Sequence, residues 1–234
     1  VVEAAGRPVV GSAPVGGDGT AAWLGAVGDT LALAPDKVAA AQNQTLPAIQ
    51  AGLEKSPIDA RLTLSGYEGS ELLGARLLAA AGADVRYVGT ACPRTPWSDA
   101  DRAWLEARGT VVKYRASLED DVAAMDAFEP DLVIGTTPVV QKAKQKAIPA
   151  LYFTNLISAR PLFGIPGVGA LAQVINGALA SRDRSEKMRA FFTGVGVGDT
   201  AGIWEDKPAP PPAGKKVRAP RSADPTSQGG AIGC

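Results

Sequence analysis

The chain has 234 residues, enough for one large or two small domains around a substantial core. Its 24 basic and 24 acidic residues cancel, so the charge balance gives no sign of a nucleic-acid partner or an anionic membrane surface. It contains no histidine and only two cysteines, Cys92 and Cys234, which removes the commonest general base and leaves no spacing for a zinc site or a four-cysteine cluster.

Hydrophobic residues make up 46% and charged residues 21%, ordinary values for a globular protein. No apolar run approaches the roughly 20 residues that span a bilayer, and no basic segment leads into an apolar one as in a secretory leader. The two cysteines read as reduced cytosolic thiols, so a cytoplasmic location is expected. The chain opens on Val1-Val2-Glu3, and the expectation is a C-terminal piece of a longer polypeptide.

Pro8-Val9-Val10-Gly11 reads as a first strand, with Gly16-Gly17-Asp18-Gly19-Thr20 leading into a helix from Ala21 to Leu33. Pro35 opens a second helix toward Leu53, which Pro47 should kink or split. Residues 1–56 are expected to be the remainder of a preceding domain plus linking helices.

From Ala60 to Ala159 the pattern alternates strand and helix. Arg61-Leu62-Thr63-Leu64 is a buried strand, and Leu72, Leu73, Leu77 and Leu78 place a helix over Ser70–Ala81 that Gly82 ends. Val85–Gly89 is the second strand; Ser98 caps a helix through Arg108, and Val111–Tyr114 is the third strand. Ser117 with Asp120 resembles a capping box for a helix to Phe128, with Asp in place of the usual Glu. Leu132–Ile134, a helix over Pro138–Lys146 and a fifth strand at Ala150–Phe153 complete the series. The expected fold is α/β, a doubly wound, Rossmann-like parallel sheet over residues 57–164 with flanking helices. Residues 165–204 should add helices at Val168–Ala180 and Ser185–Phe192. Residues 205–234, with six prolines and four glycines, should form a disordered tail.

Ligands of such sheets gather beyond the carboxyl ends of the strands. The turn carrying Gly66, Glu68 and Ser70 sits there, between strand and helix. It can serve as an anion-binding helix start or as a plain tight turn, and it lacks the G-x-G-x-x-G spacing and any Walker lysine. Thr136 and Thr137 follow the fourth strand in the same way, as ligand-facing residues or as helix caps. Tyr152 to Gly164 is the most informative stretch. It combines aromatics, an amide, a hydroxyl and an arginine, and composition leaves open whether it lines a pocket for a flat apolar ligand or packs into the core.

At this stretch a resemblance becomes specific. Leu64 through Leu73, Tyr87-Val88-Gly89-Thr90 with Pro93-Arg94-Thr95-Pro96-Trp97, Val112 through Asp121 and Gly135 through Lys144 resemble the Y subunits of chlorophyllide a reductase, of the nitrogenase component 1 family. The similarity continues through Tyr152–Leu162 and closes at Gly198–Trp204. It implies a nitrogenase component 1-like fold and membership of a multi-subunit, ferredoxin- and ATP-dependent oxidoreductase of bacteriochlorophyll synthesis. Y and Z subunits form a heterotetramer that holds a [4Fe-4S] cluster. An iron-protein-like X subunit binds ATP and Mg and delivers electrons. The substrate is chlorophyllide a, reduced at the C7=C8 bond of ring B.

The cluster ligands of the family have no counterpart in Cys92 or Cys234, so no metal or cofactor is assigned to this chain alone, which is expected to be inactive by itself. The resemblance makes Phe153 and Leu162 candidates for contact with the tetrapyrrole ring, and Asn155, Ser158 and Arg160 candidates for its polar rim. Arg160 suits a propionate because guanidinium binds carboxylate in a fork. No catalytic residue is identified; without histidine, the proton must come from another acid, another subunit or the substrate. A nucleotide or nucleotide-sugar-binding domain and a non-catalytic interaction fragment remain as alternative readings.

Overall fold

The computed structural model describes residues 5–6, 9–11, 13–158 and 161–192. Five strands pair among these residues, all parallel, in the order β3-β2-β1-β4-β5. They are β1 (Arg61–Gly66), β2 (Asp84–Thr90), β3 (Val111–Tyr114), β4 (Leu132–Gly135) and β5 (Ala150–Tyr152). The chain moves outward from β1 to β3 and then returns to β4 on the other side of β1. Right-handed crossovers therefore place α3 (Glu71–Ala80) and α4 (Asp99–Glu106) on one face, with α5 (Leu118–Phe128) and α6 (Thr137–Gln145) on the other. The doubly wound sheet expected from the sequence is present.

The two faces have separate cores. Leu62, Leu64, Leu72, Leu77, Val88, Leu105 and Ile134 belong to a large cluster on the α3 side, and Met125, Val133, Val139 and Ala143 to a small one under α5 and α6. The large cluster extends into α2 (Pro35–Lys55) and α8 (Gly164–Leu179), through Ile49, Leu53, Leu171 and Ile175, and α1 (Gly16–Thr30) packs beside α2. The described residues up to Phe192 make one compact unit, in which α2 packs on α8 and α1 on α3.

Three local expectations change. Val9, Val10 and Gly11 lie outside any strand, while Pro8 is outside the described residues. Pro47 does not split α2, which runs unbroken from Pro35 to Lys55. Pro47 and Asn43, whose carbonyl it leaves unpaired, are both exposed, so water can take up the lost bond. The third change is at Phe153. The fifth strand ends at Tyr152, and Phe153 begins a short helix, α7 (Phe153–Ser158). The last described helix is α9 (Arg182–Phe192). Ser117 caps α5 as expected. Its hydroxyl accepts from the Asp120 N–H at 3.2 Å and its own N–H donates to Asp120 Oδ2 at 2.9 Å. The tail, residues 205–234, and Cys234 fall outside the described residues.

Candidate active-site edge

Strand order reverses between β1 and β4, and the crevice at their carboxyl ends is where this fold places ligands. Its first wall is the turn after β1. Glu71, fully buried at the start of α3, folds back into that turn. Its Oε1 accepts from the Glu68 N–H at 2.7 Å, and its Oε2 from the Gly69 N–H at 2.9 Å and the Thr90 hydroxyl at 2.9 Å. The turn is thus an anion nest filled by the chain's own carboxylate. This corrects Gly66 as a ligand-facing group. Gly66 is buried against Glu71, and a Cβ there would meet Glu71 Oε1 at 2.5 Å. Ser70 is the half-buried residue preceding α3. The same carboxylate removes the donors a nucleotide phosphate would need. Glu68 itself is exposed and accepts from the Thr154 hydroxyl at 2.7 Å.

That bond shows how α7 is placed. Leaving β5, it reaches back across the crevice to β1. Phe153, 2% exposed, sits where Cβ atoms on Gly66 and Gly74 would come within 2.9 and 3.3 Å of its ring. Phe153 is therefore a core residue and not a ring-contact residue, a correction of the expectation above. A notch made by two glycines accepts its ring and fixes α7 over the sheet edge. Asn155 and Ser158 lie three apart on the exposed side of α7, while Phe153 and Leu156 face inward. Leu162 is half-buried and packs against the core. Arg160 lies outside the described residues. On the β4 side, half-buried Thr136 takes the N-cap position of α6 without a side-chain cap bond, and Thr137 is its exposed first residue.

The edge also carries residues that sequence reasoning passed over. Tyr67 and Trp97 are 61% and 55% exposed on the loops after β1 and β2. Large aromatics standing in solvent at this edge leave apolar surface uncovered. The half-buried Cys92 thiol lies 3.5 Å from the Tyr67 carbonyl. Asp121, in the first turn of α5, accepts from the Tyr87 hydroxyl at 2.9 Å. Burial pushes the Asp121 carboxyl up to about 6, opposed by the Tyr87 and Ser65 hydroxyls and reinforced by Asp120 and Glu71. Burial and Asp121 likewise push the Tyr87 phenol upward.

No helix among the described residues is long and apolar enough to cross a membrane. Nor do three or more of their His, Cys, Asp or Glu side chains converge to hold a metal ion. Cys92 stands alone, so these residues do not fit a four-cysteine cluster.

The chain is thus a doubly wound parallel sheet whose crevice is plugged by its own glutamate and phenylalanine. Residues 2–180 match the family described as Nitrogenase component 1 type Oxidoreductase, and the chain belongs to that family. It is 70% identical over 206 residues to the Chlorophyllide reductase 52.5 kDa chain of Cereibacter sphaeroides and 67% identical to that of Rhodobacter capsulatus. Each match takes in 88% of this chain and 41% of the relative, so the chain spans about two fifths of the length of the curated relatives it matches. Among solved structures, nitrogenase Cp1 at pH 6.5 superposes with a TM-score of 0.54 at 19% identity, covering 74% of this chain and 40% of that one. Nitrogenase Cp1 at pH 5 gives 0.53 at 14%, covering 70% and 40%. These structures share the fold.

Proposed function

We propose that this chain is part of a nitrogenase-like reductase of chlorophyllide a, and that its sheet edge forms one wall of the tetrapyrrole site. The observation that carries the reading is the 70% identity, sustained over 206 residues, to a chlorophyllide reductase chain. The expected reaction adds two electrons and two protons across the C7=C8 bond of ring B. The assembly would comprise a sister Z subunit, in a heterotetramer with the chain's full-length form, and an ATP- and Mg-binding X subunit as electron donor. A [4Fe-4S] cluster would be held by cysteines that this chain does not contribute.

Within that reading the chain's own residues bind and orient. A flat macrocycle needs apolar and aromatic contact with a few polar anchors. Leu162, Tyr67 and Trp97 are suited to the first role, and Asn155, Ser158, Glu68, Thr136 and Thr137 to the second. Arg160 is the proposed partner of the substrate's propionate. The nucleotide-binding alternative is disfavoured by Glu71, whose carboxylate already holds the N–H groups of the turn.

The test uses the full-length polypeptide assembled with its Z and X partners, ATP and a reductant. Loss of the C7=C8 bond is followed by the absorption change of the macrocycle. No product from a correctly assembled complex would sink the reading. Arg160→Ala is expected to weaken chlorophyllide binding by about 1.5–3 kcal/mol, the value of a charged hydrogen bond, while ATP hydrolysis by the X subunit continues. Unchanged affinity in the assembled variant would remove Arg160 from the site, and the same result for Asn155 and Ser158 would leave α7 with a structural role only.

A further inference from the structure

Beside the small apolar cluster under α5, part of the layer between the sheet and this helix is polar. Thr63 pairs in register with Tyr87 and Ser65 with Gly89, so all four positions face α5. The Thr63 and Ser65 hydroxyls are buried, 3% and 2% exposed, and neither has a partner at full hydrogen-bond geometry, although the Ser65 hydroxyl is near enough to Asp121 to favour its ionised form. Buried hydroxyls without partners destabilise a fold, and their presence calls for a role. Gly89 explains how an acid enters this layer. A Cβ at that position would come within 2.2 Å of Asp121 Oδ1 and 2.8 Å of the Tyr87 hydroxyl oxygen. The missing side chain is the space the carboxyl occupies. Asp121 also stands in the first turn of α5, which follows β3 and so opens on the carboxyl edge where the crevice lies.

We infer that Asp121, held by Tyr87 over Gly89, is the proton store for the reduction carried out at this edge. The inference rests on the chlorophyllide-reductase reading. Saturating one C=C bond forms two C–H bonds from two electrons and two protons. A low-potential, one-electron carrier protein is the reductant. The Asp121 O–H bond breaks as one proton passes toward the substrate with the first electron, and the Tyr87 hydroxyl stabilises the carboxylate left behind. Solvent reprotonates Asp121, and a second O–H bond breaks in the same way as the carrier delivers the second electron. The Ser65 and Thr63 hydroxyls offer donors and acceptors for an ordered water along that path.

The groups facing Asp121 suit this task. From β2 comes Tyr87, and from β1 the neutral hydroxyl of Ser65. Its own helix contributes Asp120, paired with Lys113 of β3 at 2.6 Å, and the start of α3 contributes Glu71. A carboxyl titrating near about 6 holds a useful proton fraction at neutral pH, where an ordinary aspartate does not. Because its value in the fold lies above the ordinary 3.8, the protonated form is the one the fold prefers. The stability it contributes is complete below 3.8 and is lost as pH rises through about 6.

In the assembled complex at saturating chlorophyllide, Asp121→Asn is expected to lower kcat by on the order of 10²–10⁴-fold, with KM unchanged. Tyr87→Phe keeps the acid and removes a bond that favours its ionised form, so the alkaline limb of the wild-type kcat profile should move to higher pH. In the chain alone, the wild-type unfolding midpoint should fall as pH rises through about 6, and Asp121→Asn should flatten that slope. Co-elution with the partner subunits separates lost chemistry from lost assembly, and if Asp121→Asn fails to assemble, the Tyr87→Phe profile decides. Wild-type kcat and pH profile in Asp121→Asn, or an unmoved limb in Tyr87→Phe, would overturn the inference. A wild-type complex that forms no product overturns the functional reading and this inference with it, whereas an active wild type beside an indifferent Asp121→Asn overturns this inference alone.

Discussion

Phe153→Ala is expected to destabilise the chain by about 3–5 kcal/mol, the usual loss for emptying a buried aromatic site. The ring is 2% exposed and rests in the notch of Gly66 and Gly74, two positions that cannot close over the vacancy because neither carries a side chain. Relaxation is limited further by the Thr154–Glu68 bond, which holds α7 at the rim of the turn. Denaturant unfolding of the chain measures the loss as a shift in midpoint at constant slope. The contrast with a ligand-contact role is sharp. A ring on the wall of a pocket could be removed with little effect on folding and a clear effect on substrate affinity. A loss below about 1 kcal/mol would return Phe153 to the surface.

The elements from β1 to β5 were legible because local and global signals agree there. Leu72, Leu73, Leu77 and Leu78 have helical spacing on a helix that packs by that face, and Ser117-x-x-Asp120 forms both bonds of its box. The parallel sheet follows from the alternation of short apolar runs with helices, since such strands can pair only through crossovers. α7 was not legible. Tyr152 and Phe153 favour strands, and Thr154-Asn155 disfavours helix, so local preference extends β5 past its end. What turns the chain is a contact nearly ninety positions away in sequence, the glycine notch beside β1, and no periodicity reports it.

The site divides along the same line. Its location at the carboxyl edge came from topology alone, and exposed Asn155, Ser158, Thr137 and Glu68 do lie on that edge. Glu71 stands in the first turn of α3, where the helix dipole favours an acid, and nothing in the sequence marks it further; that it folds back to fill the turn depends on the Gly69 backbone at φ +83° and on Thr90 from the next strand. Asp121 looked like one more acid in the run Glu119-Asp120-Asp121. Its distinction comes from Gly89 beneath it, and Gly89 in a strand signals close approach only once the approaching group is known. Polar groups that a fold buries are the part of a site least visible in sequence, because their cost and their partners are both three-dimensional.

The ion pair of Arg76 and Asp101 should show the second large effect. The two side chains are 8% and 7% exposed and join α3 to α4. Arg76 also lies 5.1 Å from the Trp104 ring centroid, and Arg108 covers the same ring at 3.4 Å. Asp101→Ala leaves the Arg76 charge buried, near a second guanidinium and without its carboxylate, and is expected to cost about 3–5 kcal/mol. Removing both charges is a different perturbation. Arg76→Met with Asp101→Leu replaces the pair by apolar groups of similar reach, and should recover most of that loss because desolvation of the ions disappears with them. A double-mutant cycle in denaturant measures the coupling directly. The pair matters for the edge because α3 begins at the Glu71 turn and α4 follows the loop bearing Trp97, so loosening one helix against the other should move both walls. Chlorophyllide affinity of the assembled complex is therefore expected to fall with Asp101→Ala and to return in the apolar double variant. Single variants costing under about 1 kcal/mol, as exposed pairs do, would mean that water reaches the pair and that α3 and α4 are held by their apolar contacts alone.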